Sequence, residues 1–487
     1  METLQRMHNR GSVSTGFNIT NSLKVEKENS EYLKAEGRGQ GNQKTWTWSC
    51  WVKRSYINSG YIAQYIMSAG SDGKLGMYFR DDGSSTGGDT IFLYVDEGNS
   101  LKWIGEVRRS FRDTAAWYHI VLAVDSTDGT AADRTKIYVN GEQQTITFNA
   151  TLNQNSNTRI GDSGGKLSIG AKMDGDYEFS GYMAEIALVD GSQLAPTSFG
   201  EFDEDSGIWK PISLSTLSLG TQGFHMNFDD SSNLGKVKPG TSQGNFDLTN
   251  ITAIDQATDT PTNNFATINA MAGLGMGGTP FKFRNGSTEI WRDPDDTGGW
   301  VVVVSTMAVT KGKWYAEFEV LESPSVTMYG YTTVAYLAEG GSGLNHPHFY
   351  LGNSPNSTGY YSNGDGANDS IYEDVSYPST GVQSSAGTVI SVALDCDNNK
   401  IHFANNGTYT NSSNPVNNTN GFAVVDDYVY FAHASYAGNK TYKTNLGGYT
   451  TDTPSSAASD ANGYGTFEYA PPAGYYALCT KNLAEFG

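Results

Sequence analysis

One pattern occurs twice in this chain and narrows what it can fold into. His119-Ile-Val-Leu-Ala-Val-Asp125 leads through a polar turn into Lys136-Ile-Tyr-Val-Asn-Gly141. Far downstream, Val389-Ile-Ser-Val-Ala-Leu-Asp395 leads through Cys396-Asp-Asn-Asn399 into Lys400-Ile-His-Phe-Ala-Asn-Asn-Gly407. Each copy is an apolar strand closed by Asp, then a turn, then a second β-rich run closed by Asn-Gly. Asn and Gly tolerate positive φ and so favour tight hairpins. A Trp-Tyr element accompanies each copy: Trp117-Tyr118 in the first, and Trp314-Tyr315 within Lys311–Val320 ahead of the second. Two tandem β-sandwiches built on one plan account for the repetition.

Composition supports that reading. A chain of 487 residues exceeds what one core usually holds, so more than one domain is expected. Gly is the commonest residue at 57, aromatic residues are 12% and charged residues only 17%, a balance that suits short strands and many turns. No stretch sustains a helical apolar period; Ala195–Phe202 has room for a turn or two of helix. The formal net charge of −20 repels phosphate backbones and anionic membranes, so no nucleic-acid partner is expected. No run approaches the roughly 20 apolar residues that span a bilayer, so no membrane insertion is expected. The first ten residues, Met1 to Arg10, lack the apolar core of a signal peptide. Cys50, Cys396 and Cys479 share no Cys-x-x-Cys spacing and are odd in number, which predicts free thiols made in a reducing compartment. Cys50 alternates with Trp46 and Trp48 and is expected to pack as a small hydrophobe.

Along the chain, residues 1–17 read as a polar N-terminal arm. A first sandwich is expected over 18–235, with its core ending near 191 and a packed connector and return strand, Gly223–Phe228, after it. Residues 236–280 read as a linker, rich in Thr, Ala, Asn and Gly towards its end. A second sandwich is expected over 281–487.

Several phrases resemble known families. Lys44-Thr-Trp-Thr-Trp-Ser-Cys-Trp-Val-Lys-Arg54, Ala116-Trp-Tyr-His-Ile-Val-Leu-Ala-Val-Asp125, Lys136–Gly141 and Gly181-Tyr-Met-Ala-Glu-Ile186 are similar to laminin-G or concanavalin A-like lectin domains. The version most resembled is that of structural proteins of bacteriophages, marine ones in particular. The connector phrases Phe199–Pro211 and Gly223–Gly235, and the stretch Asp259–Asn269, resemble those phage proteins too. The second half resembles a SPRY domain through Gly312-Lys-Trp-Tyr-Ala-Glu-Phe318, Tyr360-Tyr-Ser-Asn-Gly364, the hairpin Val389–Gly407 and Tyr469–Leu478. Thr444-Asn-Leu-Gly-Gly448 departs from the Asn-Phe-Gly phrase usual there. The resemblance implies an all-β chain of two tandem antiparallel β-sandwiches, concanavalin A-like jelly rolls joined by a partly packed connector. It implies a non-enzymatic virion protein made in the host cytoplasm. The expected role is a tail fibre or adhesin that binds host surface polysaccharide, contacts other virion proteins and forms a homo-oligomer. A head or tail decoration protein is the second expectation, and a glycan depolymerase a distant third.

Retaining glycan hydrolases place two carboxylates about 5 Å apart, which alternate residues of a strand can do. Glu201, Asp203 and Asp205 alternate, but in a segment read as a solvated loop without strand character. No Gly-x-Ser-x-Gly elbow supports a Ser-His-Asp arrangement, and His119 reads as structural. His346-Pro-His348 puts two imidazoles on one side of an extended segment, without an evident third metal ligand. Calcium is the cofactor the resemblance raises, with Asp162, Asp174 and Asp176 as oxygen donors in Gly-rich turns; turn formation is the commoner role for such Asp, and no metal or cofactor is assigned. Binding remains. Tyr360, Tyr361, Tyr372 and Tyr377, with Asn363 and Asp365, are the candidate ligand-binding residues. Rings stack on the C–H faces of sugars, amides and carboxylates take hydroxyls, and Tyr equally favours protein partners.

Overall fold

A computed structural model describes residues 16–57, 63–70, 74–80, 88–97, 100–173, 175–240, 242–270, 281–292, 300–321, 326–335, 350–363, 367–374, 376–436 and 440–487. The expected arm falls almost wholly outside these residues. The chain divides into two compact units, residues 1–262 and 263–487. Both are sandwiches of antiparallel sheets, as the fold reading required.

In the first unit, one sheet runs in the order Glu142–Gln143, Thr135–Val139, Trp117–Asp125, Thr45–Arg54, Gly181–Asp190, Ser22–Val25 and Gln256–Ala257. Phe224–Met226 also pairs with Gly181–Asp190. A second eight-stranded sheet faces it, centred on Thr90–Glu97, Leu75–Arg80 and Ala63–Ala69. One apolar core draws on both sheets, with Trp46, Trp48 and Cys50 from one and Met77, Leu93 and Trp103 from the other. All three cysteines are buried free thiols, and Trp48 Nε1 donates to Cys50 Sγ at 3.3 Å.

The second unit pairs a nine-stranded sheet, built around Lys440–Asn445, Lys313–Val320, Val389–Asp395 and Lys400–Asn405, with a five-stranded one. The smaller sheet runs Trp300–Val304, Val429–Tyr436, Val326–Thr333, Ser357–Asn363 and Ser370–Glu373. A helix, Thr480–Phe486, closes the described chain and was not expected.

The repeated hairpin is repeated down to its hydrogen bonds. In the first copy, Asn140 takes φ +49° and Gly141 φ +81°; in the second, Asn406 takes +47° and Gly407 +75°. His119 N donates to Asn140 Oδ1 at 2.8 Å, and Val389 N to Asn406 Oδ1 at 2.9 Å. Asp125 and Asp395 each end a strand and accept from the backbone N–H two residues on, at 2.9 and 3.1 Å. The Trp-Tyr correspondence, however, was misplaced. Trp117 starts the hairpin strand itself. The counterpart of Trp314, which pairs with Leu394, is Trp46, which pairs with Val124.

The stretch 236–280, expected as a linker, is not one over its described part. Asp247–Thr249 pairs with Tyr32–Ala35, and Gln256–Ala257 with Ser22–Val25. Two buried carboxylates hold it down. Asp255 lies 2.7 Å from the Lys24 ammonium, which Glu31 also meets at 2.7 Å, and Asp259 lies 2.7 Å from Lys53. Trp117 Nε1 donates to Asp259 as well, at 3.1 Å. Carboxylates so deeply buried require paired cations. Residues 263–270 belong to the second unit, where Ala266, Ile268 and Ala270 join the core.

Candidate functional site: an aromatic patch on an outer sheet face

Strand alternation in the five-stranded sheet sends neighbouring tyrosines to opposite faces. Tyr360 points inward and is fully buried, so it is no ligand contact. Its hydroxyl donates to Asp369 at 2.7 Å and accepts from Asn405 at 3.1 Å. Burial, and then the Asp369 carboxylate, push that hydroxyl far above the usual tyrosine range. Tyr361 points outward and touches Tyr372, with ring centroids 5.0 Å apart. Tyr377 lies 4.2 Å from Tyr372 and is 45% exposed. Asn363 ends the Ser357–Asn363 strand, and Asp365 lies outside the described residues.

Three residues that the sequence reading did not select complete the patch. Trp300, half-buried at the start of its strand, contacts Tyr350 at 5.7 Å, Tyr361 at 6.2 Å and Tyr436 at 5.6 Å. Tyr436, opposite Trp300 in the ladder, is 47% exposed. Tyr350 also meets Tyr372 at 5.9 Å. Small residues make room beneath the rings: a Cβ at Gly359 would lie 2.6 Å from Leu351 Cβ, so only Gly lets the Tyr350–Leu351 segment lie on the sheet. A signal for Trp300 did exist. In Trp300-Val-Val-Val-Val304, however, both faces are apolar, and nothing local says which faces outward.

The other sites considered resolve differently. His119 is buried, with Ser49 Oγ 2.9 Å from Nε2 and Trp209 Nε1 3.0 Å from Nδ1. An indole nitrogen only donates, so Nδ1 is the acceptor and Nε2–H donates to Ser49. The imidazole lone pair is therefore occupied, and burial drives this His down to about 3. His119 anchors the connector, whose Phe199 and Leu214 pack over Val121 and Ala187, and is structural as expected.

Glu201 does not lie in a strandless loop: Gly200–Phe202 is a short strand paired with Trp209–Pro211. Asp203 is engaged by the Ser206 backbone and hydroxyl, both at 2.9 Å, and by Lys210 at 3.1 Å. Those bonds, the Ser206 N–H first, hold it at about 2. Alternating carboxylates do occur on a strand elsewhere, as Glu317 and Glu319 on Lys313–Val320. They line a cleft of about 260 Å3. Glu317 accepts from Tyr469 N and Glu468 N at 2.8 Å each and from Tyr315 at 3.0 Å, so it pins the C-terminal segment rather than facing a ligand.

Among the described residues, no three His, Cys, Asp or Glu side chains gather as metal ligands would. Asp162 lies 3.6 Å from Arg159, Asp176 is exposed in its turn, and Asp174, His346 and His348 fall outside the described residues. No described helix is long and apolar enough to cross a membrane.

Residues 27–195 match a laminin-G-type family of the concanavalin A-like lectin/glucanases superfamily, and residues 313–449 match the SPRY domain. The chain carries these two domains in that order. No curated protein sequence matches it. Among solved structures, the SPRY domain of human HERC1 is 15% identical over 34% of this chain and 91% of that one, with a TM-score of 0.26. The TRIM65 PSpry domain is 11% identical over 37% and 92%, TM-score 0.28. A heptameric SAP-like pentraxin from Limulus polyphemus is 18% identical over 37% and 80%, TM-score 0.27.

Proposed function

We propose that this protein is an adhesin and that the aromatic patch of its SPRY domain binds surface glycan. The observation that carries this is the connected group of rings around Trp300, with Tyr377 and Tyr436 exposed at its edges. Half-buried and exposed rings gathered on one sheet face suit an interaction site. Sugar rings offer C–H faces to such rings, and phenol hydroxyls at the rim supply polar contacts. The resemblance to phage structural proteins supports a virion setting and a tail-fibre role, with self-assembly multiplying weak sites into avidity. The same rings suit a protein partner, so decoration of the head or tail is the second reading.

Glycan microarrays with the whole chain test the first reading. Wild type is expected to bind a defined set of polysaccharides, and Trp300→Ala and Tyr436→Ala to lose affinity about tenfold or more with unchanged circular dichroism. Binding that survives both changes, or no binding by wild type, would refute it. Immunogold labelling of particles then separates the two virion roles: gold at fibre tips supports the adhesin, gold over the head or tail wall the decoration protein.

A further inference from the structure

A second site lies in the first unit, on the sheet face turned away from its core. The Gly181–Asp190 strand slips register against Thr45–Arg54 between Ala184 and Ala187. Met183 and Ile186 both enter the core, although strict alternation would bury Glu185 with Met183. A bulge re-aims the side chain instead. Glu185 takes φ +45°, rare for a residue with a Cβ, and such outliers gather at functional sites. The turned carboxylate meets His225, whose neighbours Phe224 and Met226 enter the core while it points away. Glu185 Oε2 lies 2.6 Å from His225 Nε2.

The pair is 5% and 12% exposed in its side chains. His225 Nδ1 makes no hydrogen bond and is not among the buried unpaired atoms, so it opens to solvent. Both residues line a cleft of about 840 Å3, within the usual size of a small-molecule site, together with the hydroxyls of Ser215, Ser218 and Thr221. Lys238 lines the same cleft and donates its backbone N–H to the His225 carbonyl at 2.8 Å, while Asp229 takes its ammonium.

We propose that Glu185 and His225 form an acid–base dyad that hydrolyses small carboxylic esters, an activity beyond glycan recognition. The carboxylate holds Nε2–H and leaves the lone pair on Nδ1, facing the cleft. Water gives a proton to Nδ1 as its oxygen bonds to the acyl carbon, and the carbonyl π pair moves onto oxygen. The hydroxyls lining the cleft are the donors available to that oxyanion. When the adduct collapses, the C–O bond to the alcohol breaks and the leaving alkoxide takes the proton back from Nδ1. The products are a carboxylic acid and an alcohol, with no oxidant or reductant required. His225 is the catalytic residue; Glu185 is a positioning residue.

The test is hydrolysis of 4-methylumbelliferyl acetate by the whole chain across about pH 6 to about pH 9. Turnover above the buffer blank is expected, and His225→Asn is expected to lower it about a hundredfold. Glu185→Gln, nearly isosteric, is expected to lower kcat about tenfold with KM unchanged, because the ring loses the partner that orients it. Val416→Ser, at an exposed position of the other unit, is expected to leave turnover unchanged. A wild-type rate equal to the blank, a rate that His225→Asn retains, or a kcat that Glu185→Gln does not lower would each overturn the proposal. Glycan binding is read separately through Trp300, so failure here leaves the adhesin reading standing.

Discussion

At the scale of single residues, burial decides what a titratable group can do. Glu317 is raised to about 7, chiefly by burial, against the hydrogen bonds from Glu468 N and Tyr469 N that favour its charged form. The folded chain therefore holds a proton there that the unfolded chain, at an ordinary 4.5, has released. That contribution to stability is complete below about pH 4.5 and is lost as pH rises through about 7. Denaturant midpoints should show it: those of the second unit are expected to fall across that window in wild type, and Glu317→Gln to flatten the fall. Burial also pushes the thiols of Cys50, Cys396 and Cys479 up to about 12. A thiol reagent is thus expected to find no reactive cysteine in the native protein and three after denaturation.

At the scale of elements, the packed end of the first unit depends on charges held out of water. Lys53 and Asp259 are each 1% exposed in their side chains and meet only across long sequence separation. Asp259→Ala would remove the carboxylate that the buried Lys53 ammonium meets at 2.7 Å, and truncation of one partner of a buried pair costs about 3–5 kcal/mol. Guanidinium denaturation of wild type and variant, followed through the first unit's tryptophans, would measure that loss. A change below about 1 kcal/mol would mean the pair is not held as described. The Asp259 interaction was illegible in the sequence because Thr258-Asp259-Thr260-Pro261 has the polar composition of a linker. Composition reports what a segment is made of; its partner cations lie more than 200 residues away. The same limit hid the C-terminal helix, whose seven residues, Thr480–Phe486, are too few to show a period.

For the molecule as a whole, the division falls at 262/263, each unit with its own core. Cleaving the chain genetically after residue 262 is expected to yield two fragments that each unfold cooperatively. Ending the first fragment at 235 removes Asp255 and Asp259 together, and it is expected to lose the cooperative transition by circular dichroism. Equal cooperativity in both first fragments would place the boundary at 235 instead.

What the amino-acid order determined unaided is local. Asp-capped turns, Asn-Gly closures and alternating apolar strands announce two hairpins of one design, because those signals act over a few residues. The all-β class followed, and so did the structural role of His119, the free state of the three thiols and the burial of Cys50. Tertiary structure alone decided which face of each strand meets solvent. It buried Tyr360 and exposed Tyr377, gathered Trp300, Tyr350 and Tyr436 from strands and loops far apart, and turned Glu185 outward through a bulge. Where both faces of a strand are apolar, the covering sheet selects the inner one, and no local pattern can carry that choice.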